Sequence, residues 1–259
     1  MVNHITINRY IKPIKIYGNL YFVGTRAVCT HLIDTGEGLI IIDPGCSENL
    51  PIALDNIVEL GFNVNDIKYI VVTHAHYDHM DSVSELVKIC GAKTFIGKGD
   101  LPLLTGEMYH YPIKPFIPDV LLNDGDIISL GNTEICCVST PGHTEGTMSF
   151  FFNVTDGSIA YRAGLFGGVG SNTLRKQFLL EHNISPCCRQ MMLDSINKLK
   201  GERIDIFLGN HLQDNKTEEK IQLITAGKEN PFIANAQYEW NVFLDTRLSL
   251  IKQIIEEDL

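Results

Sequence analysis

"THAHYDHMD", residues 73–81, places three histidines and two aspartates in nine positions of a chain that has only nine histidines among its 259 residues. A solvated polar turn would explain that composition but not its flanks. "IKYIVV" (67–72) is a short apolar, β-branched run and is predicted to be a buried strand. "SVSELVKIC" (82–90) spaces its apolar residues for a helix. The histidines therefore fall on a strand-to-helix loop, where α/β folds commonly carry chemistry. Neutral imidazoles and carboxylates are ligands for first-row metals. In extended backbone His74 and His76 point the same way, whereas Asp78 and His79 follow a turn and can face a second point. The stretch is read as a metal-binding loop.

The rest of the chain bounds the class. Its length suits one large α/β domain or two small ones. No linker or low-complexity segment divides it, so a single domain over 1–259 is expected, with a C-terminal helix from about 235. Hydrophobic residues make up 44% and charged residues 20%, as in ordinary globular proteins, and no apolar run reaches membrane-spanning length. "MVNHITINRYIKPIKIYG" lacks the long apolar core and small-residue cleavage site of a signal peptide, so a cytoplasmic location is expected unless a leader has been trimmed. The net charge of −10 disfavours nucleic acid, which wants a basic face. The expected partner is a small-molecule substrate, without nucleic acid or membrane, and the pattern specifies no oligomeric state. Seven cysteines, including the adjacent pairs 136–137 and 187–188, do not resemble a secreted disulfide framework. No C-x-x-C pair offers a zinc-thiolate site.

Strands are expected at 15–24, 29–35 and 38–45, then a helix over 48–61 ended by Gly61. After the histidine loop and its helix come a strand at 92–97 and an irregular loop at 105–118. Hairpins are expected over 124–140, turned at "LGNT", and over 147–164, turned at Asp156-Gly157. A helix at 186–200, a strand at 204–210 and helices at 216–226 and 235–257 complete the chain. Two β-rich halves with helices outside each make an α/β, four-layer αββα sandwich. "STPGHTEGT" (139–147) and "FLGNHLQDN" (207–215) place His143 and His211 on two further loops that follow strands, so three such loops can converge on one edge.

"THAHYDH", "TPGHT" and "GNH", in that order, together with "LIIIDPG", resemble the metallo-β-lactamase superfamily from about residue 15 to 233. The resemblance implies that His74, His76 and His143 bind one metal, usually zinc, and that Asp78, His79 and His211 bind a second, with Asp78 also catalytic. Two Zn2+ are expected, the second held more weakly. A three-histidine zinc keeps a fourth position open, and the pKa of water bound there falls from 15.7 to about 7, giving hydroxide to attack a carbonyl. Asp43 either orients a ligand histidine through its other ring nitrogen or only forms the turn before Pro44-Gly45.

The resemblance also has a departure. Many hydrolytic members, including glyoxalase-type thioesterases and acyl-homoserine lactonases, carry a bridging aspartate after the strand that follows G-H-T. The matching stretch is "IAYRAGLFGG" (159–168), where alignment on "LF" puts Ala163 in that slot. The chain is more similar to the β-lactamase subclass with His-His-His and Asp-His-His sites, which needs no such bridge. A β-lactamase-like zinc hydrolase of cyclic amides is expected, with β-lactam turnover as its main or as a side activity. Its alternative is a lactonase or thioesterase, and an iron-dependent oxidoreductase of the same fold stands further off. Arg162, Ser171 and Asn172 are candidates to grip substrate, although Arg162 alternates with apolar neighbours and would then point outwards. Tyr109, His110 and Tyr111 are candidates to roof the pocket, with plain loop packing as the other reading.

Overall fold

The computed structural model describes residues 9–104, 107–108 and 111–258. Its strands are β1 (Ile14–Tyr17), β2 (Leu20–Phe22), β3 (His31–Asp34), β4 (Leu39–Ile42), β5 (Ile67–Val71), β6 (Lys93–Gly97), β7 (Glu107–Met108), β8 (Tyr111–Pro112), β9 (Val120–Leu122), β10 (Ile127–Leu130), β11 (Thr133–Ser139), β12 (Met148–Thr155), β13 (Ala160–Leu165) and β14 (Ile206–Leu208). Its helices are α1 (Leu50–Glu59), α2 (Tyr77–Met80), α3 (Val83–Cys90), α4 (Lys176–Glu181), α5 (Cys187–Leu199), α6 (Leu212–Asn215), α7 (Thr217–Thr225) and α8 (Ala236–Glu257). One sheet runs β1-β2-β3-β4-β5-β6-β9, antiparallel as far as β4 and parallel from there. The other runs β10-β11-β12-β13-β14, with only the last pair parallel.

Alternation along the strands builds the layers, because successive side chains leave a strand on opposite faces. Ile33, Ile40 and Ile42 face Phe150, Phe152 and Leu165 across the gap between the sheets. The residues between them face outwards. Leu32 and Ile41 pack under Leu50 and Ile57 of α1 and Val83 and Leu86 of α3. Phe151 and Phe207 pack under Ile196 and Leu199 of α5 and Trp240 of α8. The result is a four-layer αββα sandwich, as the sequence pattern implies. Among the described residues no helix is long and apolar enough to cross a membrane.

Several local expectations change. The run at 15–24 is not one strand but the β1–β2 hairpin, folded back at Gly18 and Asn19. The stretch predicted as irregular contains the small hairpin β7–β8. Helix α4 was not anticipated in the sequence.

Trp240 is fully buried, lies 5.3 Å from the Phe207 ring and 6.0 Å from the Phe151 ring, and donates its indole N–H to Leu199 O. It fastens α8 to the second sheet. Trp240→Ala should lower the unfolding free energy by about 3–5 kcal/mol. Urea unfolding checks this, with the midpoint falling and the slope unchanged.

Candidate metal centre

The functional side chains all follow strands and gather at one end of the sandwich. Asp43 follows β4, the segment Thr73–His76 follows β5, His143 follows β11, Gly167–Gly170 follow β13, and Asn210-His211 follow β14. The donor atoms of His74, His76 and His143 lie within 4.8 Å of one another, and so do those of Asp78, His79 and His211. Both groups border one cavity of about 500 Å³.

Asp43 is the anchor of this arrangement. It is 1% exposed, and its backbone adopts a left-handed φ of +53°, which aspartate tolerates better than most residues. Its Oδ1 accepts the Thr73 N–H at 2.7 Å. Its Oδ2 accepts the Thr73 hydroxyl at 2.7 Å, His79 Nδ1–H at 2.8 Å and an Asn210 amide N–H at 3.2 Å. A carboxylate only accepts, so the Thr73 hydroxyl proton is committed to Asp43. The Thr73 Oγ1, 2.9 Å from His74 Nδ1, is then left to accept from that nitrogen. Both His74 and His79 are thereby protonated on Nδ1 and present Nε2. Asp43 orients histidines and also forms the turn, so the two sequence readings of it hold together.

Main-chain carbonyls set two more of the rings. His143 Nδ1 donates to Gly170 O at 3.0 Å, and His211 Nδ1 donates to Ala27 O at 3.2 Å. The chain at Gly168 and at Gly170 packs closely against the His143 ring. A Cβ on either glycine would come within 2.7 Å of that ring, so side chains are excluded there. Burial holds His74 and His76 well below the ordinary imidazole pKa and takes His143 down to about 3. These three are neutral at neutral pH, which is the metal-binding form.

The second group is more polar. His79 Nε2 and His211 Nε2 are 3.3 Å apart, and each lies 3.5 Å from Asp78 Oδ2. Burial lowers the His79 pKa, but Asp78 and Asp43 outweigh it and the net shift is upwards. Burial also works against the Asp78 carboxylate, and there His79 and His211 prevail and keep it ionised. Two imidazole nitrogens facing each other beside a carboxylate need a positive charge between them. In the first group, His74 Nε2 is buried with no hydrogen-bond partner. Such orphaned acceptors are costly unless they are ligated. The donor set therefore fits a metal at each group.

Asp100 was not singled out in the sequence. It is fully buried, its Oδ2 accepts Ala75 N–H at 2.7 Å and the Thr144 hydroxyl at 2.9 Å, and its Oδ1 accepts Gly146 N–H at 2.7 Å. It clamps the loop of His74 and His76 to the loop of His143. Burial raises its carboxyl to about 6 in spite of these donors. Nothing marks an isolated "KGD" in a sequence as such a clamp.

The substrate candidates divide. Asn172 borders the cavity, joined by Val169, Thr173, Phe178 and Asn210, none of which the sequence reading named. Ser171 precedes it at the start of a short 3₁₀ turn and does not border the cavity. Arg162 is not a substrate group here. Its guanidinium pairs with Glu202 at 2.8 Å and lies over the Phe151 ring on the outer face of the second sheet. Ala163 is likewise inside β13, packed in the core between the sheets, so the part of this segment that borders the cavity is Val169-Gly170. Tyr109 and His110 lie outside the described residues, and so does the side chain of Tyr111.

Residues 23–157 match the family model described as the metallo-beta-lactamase superfamily. A probable polyketide biosynthesis zinc-dependent hydrolase of Bacillus subtilis is 34% identical over 88 residues, which are 34% of this chain and 36% of that protein. The match thus spans little more than a third of that relative. A hydroxyacylglutathione hydrolase of Pelagibacter ubique is 30% identical over 196 residues, covering 69% of this chain and 73% of its own length. Among solved structures, a subclass B3 metallo-beta-lactamase of Bradyrhizobium japonicum superposes with a TM-score of 0.88 at 27% identity, covering 98% of this chain and 97% of that one. A metallo-beta-lactamase of Elizabethkingia meningoseptica does so with a TM-score of 0.85 at 30% identity, covering 98% and 95%.

The clamp gives a prediction. In Asp100→Asn an amide N–H₂ must face one of the donors that the carboxylate accepts, leaving a buried backbone N–H unpaired. Stability should fall by about 1–3 kcal/mol. Isothermal titration with a divalent metal should show weaker uptake by the His74, His76 and His143 group than by the other. Unchanged stability together with unchanged uptake would remove Asp100 from this role.

Proposed function

We propose, for a chain that belongs to the metallo-beta-lactamase superfamily and is a metallo-hydrolase, that its two donor groups hold zinc and that it opens cyclic amides of the β-lactam type. The observation that carries this reading is the pair of donor groups, three imidazoles beside one carboxylate with two imidazoles, with no bridging carboxylate on the β13 loop. The solved β-lactamases that match over almost the whole chain support it.

Zinc, when bound, supplies Lewis acidity and lowers the pKa of a coordinated water to about 7. The protein residues do the rest. Four imidazoles are fixed in the Nε2-presenting tautomer by Thr73, Asp43, Gly170 and Ala27. Asp78, ionised beside His79 and His211 on the wall of the shared cavity, is the catalytic carboxylate and would accept the proton released by the attacking water at its carboxylate oxygens. Asn172 and Thr173 offer neutral hydrogen-bonding groups to the substrate, and Val169 and Phe178 supply apolar wall. The first group offers three neutral imidazoles and the second one anion with two imidazoles, so two ions held there would sit in different environments and, with no carboxylate joining them, would leave separately under chelation.

A thioesterase or lactonase is the second reading, favoured by the hydroxyacylglutathione hydrolase relative, which this chain matches over most of its length. Side-by-side rates on a chromogenic β-lactam, a homoserine lactone and an acyl-glutathione thioester decide between them. The lactam should be opened fastest, and lactone or thioester rates far above it would favour the second reading.

Protein made without added metal should contain zinc and lose activity to a chelator, whereas iron with a redox activity would overturn the hydrolase reading. Mild chelation should remove the ions in two steps. His211→Ala should lose one equivalent and part of the activity, and His76→Ala should lose at least the roughly 10–100-fold that indirect changes cost. Metal stoichiometry and hydrolysis rate for both variants check this, and two metals with full activity in His211→Ala would remove His211 from the site.

A further inference from the structure

His143 and Thr173, linked at 3.3 Å between Nδ1 and Oγ1, border two cavities rather than one. The first is the pocket at the donor groups. The second, of about 390 Å³, lies between the segment that follows β6, the loop that carries His143 and the start of α5. Its wall includes Leu103, Ile184, Cys188 and Met191, all half-buried. Glu145 is the acid on its rim. Each cavity falls within the roughly 300–1,000 Å³ range of small-molecule sites. The two spaces share His143 and Thr173 as wall, so the second adjoins the donor-group pocket there, and an arm of a molecule whose carbonyl lies at the donor groups would reach it by passing over these two side chains.

We propose that this second cavity is the subsite for an elongated apolar acyl arm, so that the preferred substrates are long-chain or aryl-extended acyl compounds rather than small ones. The inference rests on the proposed function for where the carbonyl lies. Its physical basis is the wall. Four half-buried apolar or soft side chains gain contact with each methylene that enters, about fourfold in affinity per group fully buried. Glu145 and the net charge of −10 disfavour an anionic end to that arm.

Two cavity-filling variants, Ile184→Trp and Met191→Trp, test the subsite, each independently of the other. The first readout is kcat/KM for penicillin-type lactams whose acyl side chain grows from acetyl to octanoyl. The second is calorimetric titration of zinc-loaded protein with straight-chain thiols from ethyl to octyl, whose sulfur takes a metal whether or not any lactam is opened. Wild type should favour the longest member at least tenfold in both series, and the filled variants should compress that ratio to within threefold. A flat wild-type ladder overturns the proposal. So does a ladder that survives in both variants when they keep the wild-type unfolding midpoint and metal content. If no lactam is opened but the thiol ladder collapses on filling, the subsite stands and the lactam reading falls. If lactams are opened with no dependence on chain length, the reverse holds.

Discussion

The Asp43 carboxylate and its four donors are the constraint on which the rest of the site depends. A buried charge is costly unless it is fully paired, and here Thr73 supplies two donors while His79 and Asn210 supply one each. Those partners come from the loop after β5, from α2 and from the loop after β14, so one side chain joins the two sheets at the end where the donor groups lie. An amide at this position could not accept from all of them, because half of its hydrogen-bonding capacity is donor. The same pairing that makes the buried charge tolerable decides which nitrogen of His74 and of His79 faces the cavity.

The surrounding packing keeps these rings where the carboxylate aims them. Met148 N–H bonds to Thr73 O at 2.8 Å, and Cys29 N–H bonds to Asn210 O at 3.0 Å, so main chain as well as side chain crosses between the sheets. Asp100 does for the His143 loop what Asp43 does for the His79 turn. Near Asp100 the backbones meet closely enough that a Cβ on Gly97 would fall 1.8 Å from Gly146 O. Metal sites need this kind of support, since a ligand set on loose loops loses its geometry.

Much of this was legible in the sequence because it was periodic or locally dense. The apolar runs of β4 and β5, the helix after the histidine loop and the turn at Asp156-Gly157 follow simple patterns, and the described structure has them. The six donor residues stood out because His and Asp were concentrated at the ends of predicted strands. What escaped was information carried by tertiary contact. Arg162 reads in the sequence either as a substrate group or as pointing outwards, and only the fold shows that it points outwards, with Glu202 and the Phe151 ring claiming it. Asp100 has no neighbours in sequence that reveal its three donors. The glycines of "GGVG" carry no signal in the sequence, and only the fold shows that they let the backbone lie against His143. Ala163 was assigned by alignment on two letters, and the register of β13 against β12 places it in the core.

The central claim is that Asp43 and the backbone carbonyls aim four imidazoles, through Nε2, at two adjacent metal ions. Anomalous diffraction at the zinc edge from crystals of the zinc-loaded protein tests it most directly. The account predicts two zinc peaks, one among His74, His76 and His143 and one among Asp78, His79 and His211, with Nε2 of His74, His79, His143 and His211 as the coordinating atoms. A single peak, or coordination through Nδ1 of His74 or His79 with the Asp43 contacts broken, would contradict it.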